Sequence, residues 1–535
     1  MSAAQRLDTI GKLIENTRNT WASNRGLLPE IVKESMFLKP ELLFEALKYF
    51  EDLDISKDEI NNEIIAAILL DGLSQILYGL DRGELESQKQ NTQIQQLIHD
   101  LYMRCSNDKR VALGGILHDS GLPINFTVEN YSSSGDVPDI APNIPEFLDA
   151  LRREHAFSNS YDLYDLIIPQ IKLFPVKHQM AFIYELICSE KTLAHDVGVL
   201  MLLHNNPEIR TMVVKLMLSK VQEKIFAPID LRRMLVIRNW LPVAEQNQVD
   251  ELIKLIKKSG VEPAPHPVMQ VIKIMASLVD GAGAQGVLFE TKHGGKRSLG
   301  GFVVKHKIGI RDPWVKSKAA SGELAAVCEE NSETEMKEVT GAYVNKIVGH
   351  FLHISQIEEN TPSPIFLQIQ ELFGAHDWRP QPLDVATEVA RIKEATKFNS
   401  GDKKYIQLSM KRSAKWWESN DKLVSSWFES GEDASDSVEQ FTDEVMNHDA
   451  DDINFEMLST REIMSAPILE KWKQIFLLML LWHRSKVIKG EYWKDFLIIL
   501  EQIQSGMELS DIPAIRNIAA KTVAHVMMMD ENGLR

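Results

Sequence analysis

The strongest constraint on this chain is periodic: over most of its length apolar residues recur at three- and four-residue intervals, the spacing that gathers them on one face of an α-helix. In the stretch 30–79, Ile31, Phe37, Leu42, Leu43, Ala46, Leu47 and Phe50 are followed by Ile60, Ile64, Ile65, Ile68 and Leu69, which predicts consecutive amphipathic helices. Pro40 suits a first helical turn, and Gly72 or Gly79 suits a helix end. A further helix is expected around 92–103. Beyond it, Gly114, Gly115, Gly121 and Pro123 lead into a run over 131–142 that is rich in turn formers and lacks periodicity, as a surface linker does.

Residues 144–260 are the most regular part. Two segments there open on a proline, Pro175 and Pro207, 32 residues apart, and each continues as an amphipathic helix. The phrasing predicts stacked helical hairpins. The second segment resembles a HEAT-type repeat, in which a proline turn precedes the inner helix and Arg210 would follow it. Repeats of that kind imply an extended, solenoid-like surface.

One segment breaks the pattern. A helix expected over 268–278 leads into a glycine-rich run from Asp280, then into two strand-prone runs on either side of Gly294 and Gly295, which is a hairpin signal. Helices are expected to resume over 325–331, 335–358, 366–373, 383–395 and 413–429. No Lys or Arg occurs over 423–460 while acidic residues accumulate from Glu429 to Glu456, which predicts an acidic loop or linker. Helices at 468–482, 492–503 and 512–529 close the chain. The expected fold is therefore mainly α: multi-helical, partly HEAT-like helical-hairpin stacking, with one short β-hairpin or small antiparallel sheet inserted around 280–314. Its expected segments are 1–130, 144–262, 263–320, 321–428, an acidic linker 429–460, and 461–535.

Composition narrows the class. A net charge of −17 argues against a generic coat for nucleic acid or anionic membrane, although a local basic patch overrules an average. Cys105, Cys188 and Cys328 are odd in number and far apart, which excludes a disulfide framework or cysteine-rich zinc module and points to a reducing, cytoplasmic location. The N-terminal residues show helical spacing rather than a secretory signal. The longest strongly apolar run, 475–482, has about half the ~20 residues a bilayer requires, so no membrane contact is expected.

The motifs weigh as follows. Gly281, Gly283 and Gly286 match G-x-G-x-x-G, but the expected helix before them and strand after them, with Lys305 about 20 residues on, invert the dinucleotide context. A kinase would need a catalytic-loop Asp and a D-F-G, and neither follows. The same segment carries Lys292, Lys296, Arg297, Lys305, Lys307, Arg311, Lys316 and Lys318 against only Glu290 and Asp312, an excess of six cations, interleaved with Phe289, Phe302 and Trp314. Such a surface suits phosphates and stacked bases, or an acidic protein, or a solvated hairpin whose lysines protect its edges. One acidic candidate is the chain's own 429–456 tract. His350 and His353 are three apart on a helix but have no third metal ligand nearby, and residues 449–454 lack the glycine and glutamate of a calcium loop. Trp416, Leu423 and Trp427 form one stripe, and Trp417, Val424 and Phe428 another, suited to a core or a partner helix.

These readings favour a non-enzymatic scaffold or adaptor that binds protein partners through helical surfaces, with no cofactor and no metal. The alternative is a nucleic-acid-associated protein using Lys292, Lys296, Arg297, Lys305, Lys307, Arg311 and Trp314. A third possibility is an enzyme built from Asp280, His293, His306, Arg311 and Asp312, which requires those side chains to converge in a pocket. Self-association is not encoded in any of these patterns.

Overall fold

Helix-forming periodicity is realised on both sides of a five-stranded antiparallel sheet in the computed structural model of the chain. The structure describes residues 3–18, 28, 41–53, 59–81, 85–104, 109, 113, 116, 120, 144–155, 157–171, 176–330, 334–374, 378–419, 421–430, 432–447, 454–485 and 492–531. Ile31, Phe37, Pro40, Cys105, Gly114, Gly115, Gly121, Pro123, the expected linker 131–142, Pro175 and residues 449–453 of the weighed calcium loop lie outside these.

Helices α1 (Ala3–Arg18), α2 (Glu41–Asp52), α3 (Glu59–Asp81) and α4 (Leu85–Arg104) pack together around their own apolar cluster, which includes Ile10, Leu42, Leu47, Ile64, Ile68 and Ile98. Gly72 and Gly79 do not end a helix, since α3 continues through both. Its window Ile60–Leu77 is long and apolar enough to cross a membrane by length and composition, a property hidden from a search for unbroken apolar runs because Asn61, Asn62, Glu63 and Asp71 interrupt it. Ile64, Ile65, Ile68 and Leu69 of that window are fully buried against the neighbouring helices.

From α5 (Ile144–Glu154) the chain builds two rows of helices. Helices α6 (Ser160–Ile171), α8 (Thr192–Leu200) and α10 (Pro228–Trp240) form the inner row, while α7 (Val176–Cys188), α9 (Pro207–Lys220) and α11 (Val243–Lys258) lie side by side in the outer one. The caps are legible: Asn206 accepts from the Glu208 amide at 2.8 Å just before Pro207, and the Asp230 carboxylate accepts from the Ala227 amide at 2.7 Å.

The inserted element is larger than a hairpin. Strands β1 (Gln270–Ser277), β2 (Ala284–His293), β3 (Lys296–Lys305) and β4 (Gly309–Ser317) form a meander, helix α12 (Glu323–Glu330) follows, and β5 (Met336–Glu338) adds to the free edge of β1, giving the order β4-β3-β2-β1-β5. The expected helix 268–278 is thus β1. Val271, Ile274, Met275 and Leu278 fit a helical period, but the pairing with β2 shifts between Val271 and Lys273, and that bulge displaces the alternation a strand would show. The expected helix 335–358 likewise begins as β5 and becomes α13 (Gly341–Ile357) only after the Thr340 cap. One sheet face, with Phe289 and Phe302, packs on α13 and α14 (Pro364–Leu372): Phe302 meets Phe366 at 5.3 Å between ring centroids and Phe289 meets Phe373 at 4.9 Å.

The remaining helices are α15 (Val385–Thr396), α16 (Lys403–Ala414), the short α17 (Trp416–Ser419) and α18 (Asp421–Val424), α19 (Glu432–Met446), α20 (Phe455–Ile463), α21 (Ala466–Arg484), α22 (Trp493–Gln504) and α23 (Pro513–Glu531). The expected helix 413–429 is broken into short pieces. Much of the expected acidic loop is instead α19, because Ala434, Val438 and Phe441 form a buried stripe beneath its carboxylates. Two buried indoles fasten this region to the sheet: Trp482 donates to the Ala276 carbonyl at 3.0 Å and Trp427 to that of Val279 at 3.1 Å.

Candidate functional site

Five of the seven basic or aromatic hairpin candidates share the sheet face opposite Phe289 and Phe302. Lys292 pairs across from Arg297, Lys305 ends β3, Arg311 stands opposite Val303, and Trp314 opposite Gly301. Lys296 opens β3 beside the Gly294–Gly295 turn and Lys307 lies in the turn after the other end of β3, roughly 30 Å away at the rise of a strand. Charge on this face is partly spent. Arg297 pairs with the buried Glu290, Lys316 with Glu323 of α12, and Arg311 approaches Asp312 at 3.9 Å. The eight cations therefore form a strip with built-in anions rather than one convergent patch.

Close packing explains the glycine run. A Cβ on Gly281 would stand 1.8 Å from the Ser426 carbonyl oxygen, and one on Gly283, which has φ +71°, would stand 2.7 Å from His306 Cβ. Both glycines lie where another backbone or side chain fills the space a phosphate would need. Asp280 accepts from the Ala284 amide at 2.7 Å, and burial raises its pKa. His306, next to the same loop, is held neutral to about 4, by burial first and then by Lys471 and Lys307. His293 lies at the far end of the sheet, its ring bonded to the Val268 carbonyl at 2.8 Å. Asp280, His293, His306, Arg311 and Asp312 thus do not meet in a pocket.

Other sequence candidates find structural partners. His350 is buried, accepts from the Leu383 amide at 3.2 Å and is held to about 4 chiefly by burial. Among the described residues no three His, Cys, Asp or Glu side chains group as metal ligands. Trp427 is fully buried in an aromatic cluster with Trp416, Trp417, Trp472, Phe476 and Phe496, so that stripe is core. The acidic tract turns to its own neighbours: Glu429 meets Lys471 at 2.8 Å and the Trp472 indole at 2.6 Å, Glu444 meets Arg461, and Glu456 meets Arg516.

Two features of the helical stack escaped sequence reasoning. The first is a buried ionic cluster. His195 bonds Asp230 at 3.2 Å and the Ile187 carbonyl at 2.7 Å, while Arg233 bridges Asp196 and Glu371, with Arg232 also on Glu371. Burial alone would depress His195, but the hydrogen bond and charge of Asp230 outweigh it and raise its pKa. This cluster ties α8 and α10 to α14. The second is an open groove on the outer row between α7 and α9, lined by Met180, Tyr184, Met212 and Leu216 together with Pro207, Glu208, Thr211 and Lys215. The i, i+4 pairs Met180/Tyr184 and Met212/Leu216, on the helix sides away from the buried Ile183 and Val213, are the signal that could have revealed it.

Comparison with known proteins falls on the helices on either side of this sheet. A family described as the Y4lR second domain matches residues 175–260, the span of α7 to α11, and one described as the Y4lR C-terminal helical domain matches residues 386–527, from α15 into α23. The uncharacterized protein y4lR of Sinorhizobium fredii (strain NBRC 101917 / NGR234) is 20% identical over 338 residues, which are 60% of this chain. The chain spans 63% of that relative's length. No solved structure matches.

Proposed function

We propose that this chain is a non-enzymatic adaptor of the reducing cytoplasm that holds a partner protein's helix on the outer row of a HEAT-like stack. The observation that carries this reading is the groove between α7 and α9. Its floor of two methionines, a tyrosine and a leucine is apolar and adaptable, and Tyr184 is 42% exposed, more than an aromatic needs for its own packing. The fitting occupant is an amphipathic helix with apolar residues at i, i+3 or i+4, and i+7, and with one cation and one anion to meet Glu208 and Lys215.

Support for the HEAT-like assignment comes from Arg210. It is 2% exposed, donates to the His204 and Asn205 carbonyls at 2.7 and 3.0 Å, and binds Glu245 on α11, so the residue after the proline turn fastens one outer helix to the next. The alternative of a polyanion on the hairpin is weaker, because Glu290 and Glu323 neutralise two of its cations.

The test is co-purification of the full chain from its native cell, with and without nuclease, against a Met212→Glu, Leu216→Glu variant whose fold is checked by circular dichroism. A protein partner that survives nuclease and is lost with the variant supports the adaptor. Partners released by nuclease alone, or held equally by the variant, contradict it.

A further inference from the structure

We propose that the C-terminal helices carry a binding surface for single-stranded nucleic acid, formed where the rings of Tyr405, Phe398 and Trp493 line up beside Lys397, Lys404 and Arg484. Three elements converge there: the end of α15 with the loop after it, the start of α16, and the facing ends of α21 and α22. The rings form a chain. Phe398 meets Tyr405 edge-on at 5.3 Å and Trp493 edge-on at 5.8 Å. Cations sit against the same rings: the Arg484 guanidinium lies 5.2 Å from the Trp493 centroid, and the Lys494 ammonium 5.4 Å from that of Phe398.

The charge is available. Residues 391–415 hold eight Lys and Arg against Glu394 and Asp402. The fold spends at least three of the eight, Arg391 on Glu388, Lys393 on Glu501 and Arg412 on Asp495, and Lys415 also has a partner. Lys397, Lys403, Lys404 and, from α21, Arg484 have no carboxylate at ion-pairing distance among the described residues. Arg484 is the most telling. It is partly buried against an indole, and its pKa is lowered, first by that burial and then by the like charge of Arg391, with the more distant Glu388 carboxylate acting in the opposite direction. A phosphate beside the Arg484 guanidinium would add the hydrogen-bonded countercharge that Glu388, beyond ion-pairing distance and already bonded to Arg391, supplies only in part.

The rings select the kind of polyanion. Tyr405 is 43% exposed and Tyr492, which adjoins Trp493 and packs on His483 at 5.7 Å, is 58% exposed. An acidic protein surface gains little from exposed phenol rings, and a duplex keeps its bases stacked out of reach. Unpaired bases stack on such rings while the lysines follow the backbone. The arrangement is independent of the groove on the outer row, so either can fail alone.

The experiment is fluorescence anisotropy of the full chain with a labelled single-stranded oligonucleotide of about 20 nucleotides, at about 50 and 200 mM salt, with duplex and heparin as competitors. Expected are binding that weakens at least tenfold between the two salts, and preference for the single strand over duplex. Arg484→Glu with Lys404→Glu should remove binding, and Tyr405→Ala with Tyr492→Ala should weaken it about tenfold with the salt dependence unchanged. Lys397→Glu, alone on the surface, serves if either double variant loses its fold, and should weaken binding about threefold with a shallower salt dependence. No binding, equal competition by duplex or heparin with the tyrosine variants unaffected, or loss only on reversing Lys296 and Lys307 of the hairpin, would each overturn the proposal.

Discussion

The chain has two cation-rich regions of equal nominal charge, the hairpin around 286–318 and the helical face around 391–415 with Arg484. Residues 286–318 and residues 391–415 each hold eight Lys and Arg against two acids in sequence, and Arg484 joins the second group in the fold. Folding treats them differently. A β-meander spreads its side chains along a strip tens of ångströms long, and in this strip Glu290 and Glu323 neutralise Arg297 and Lys316. Helix ends gather residues distant in sequence, so that Arg484 lies against the half-buried Trp493 ring, Phe398 touches both Trp493 and the exposed Tyr405, and Lys397, Lys404 and Arg484 have no carboxylate at ion-pairing distance among the described residues. Charge counted along a sequence measures potential for binding. Convergence and unspent charge decide it.

If the hairpin segment is structural, the largest effect of mutation there should be on stability. Gly281→Ala drives a Cβ into the Ser426 carbonyl, and since backbone cannot swing away like a side chain, about 3 kcal/mol should be lost in urea denaturation. A functional loop that tolerated alanine would break the comparison.

The helix beneath the sheet supplies a second test, by pH. His350 is neutral in the fold down to about 4 but titrates near 6.5 when unfolded. Between those values the unfolded chain binds the extra proton, so this residue's contribution falls as pH drops from 6.5 toward 4, by about 3 kcal/mol. His350→Asn should flatten that acid limb in a stability-against-pH series. His195, whose folded pKa is raised, contributes in the opposite sense and fades as pH rises through that value.

Removing the hairpin's own anions sharpens the contrast. Glu290→Gln with Glu323→Gln leaves Arg297 and Lys316 uncompensated, lowers stability slightly, and should create a weak, salt-sensitive second site for heparin. The smallest effect is expected from Lys296→Glu and Lys307→Glu, exposed residues at opposite ends of β3, which should shift stability by less than about 0.5 kcal/mol and leave oligonucleotide affinity at its original value.

Helix existence was legible because apolar stripes at 3.6-residue period survive in sequence, as in α9, α14 and α22. What failed did so for identifiable reasons. Strand β1 kept a helix-like pattern because its bulge shifts the register at Val271. Helix α19 was hidden under carboxylates because acid density suggested solvation while Ala434, Val438 and Phe441 supplied the stripe. Functional surfaces were less legible than the fold. The groove needs two helices 32 residues apart to lie parallel, and the basic and aromatic face needs Phe398 and Trp493, 95 positions apart, to touch. Only the local run from Lys397 to Tyr405, with cations flanking two rings, hinted at it.

Helices rather than the sheet should contact this protein's partners. Cross-linking the full chain in its native cell, followed by mass-spectrometric mapping, tests this most directly. Expected are protein adducts on α7 and α9 near Tyr184 and Met212, nucleotide adducts on Tyr405, Tyr492 or Trp493, and an unmodified sheet. Adducts concentrated on residues 286–318, with those helices untouched, would contradict it.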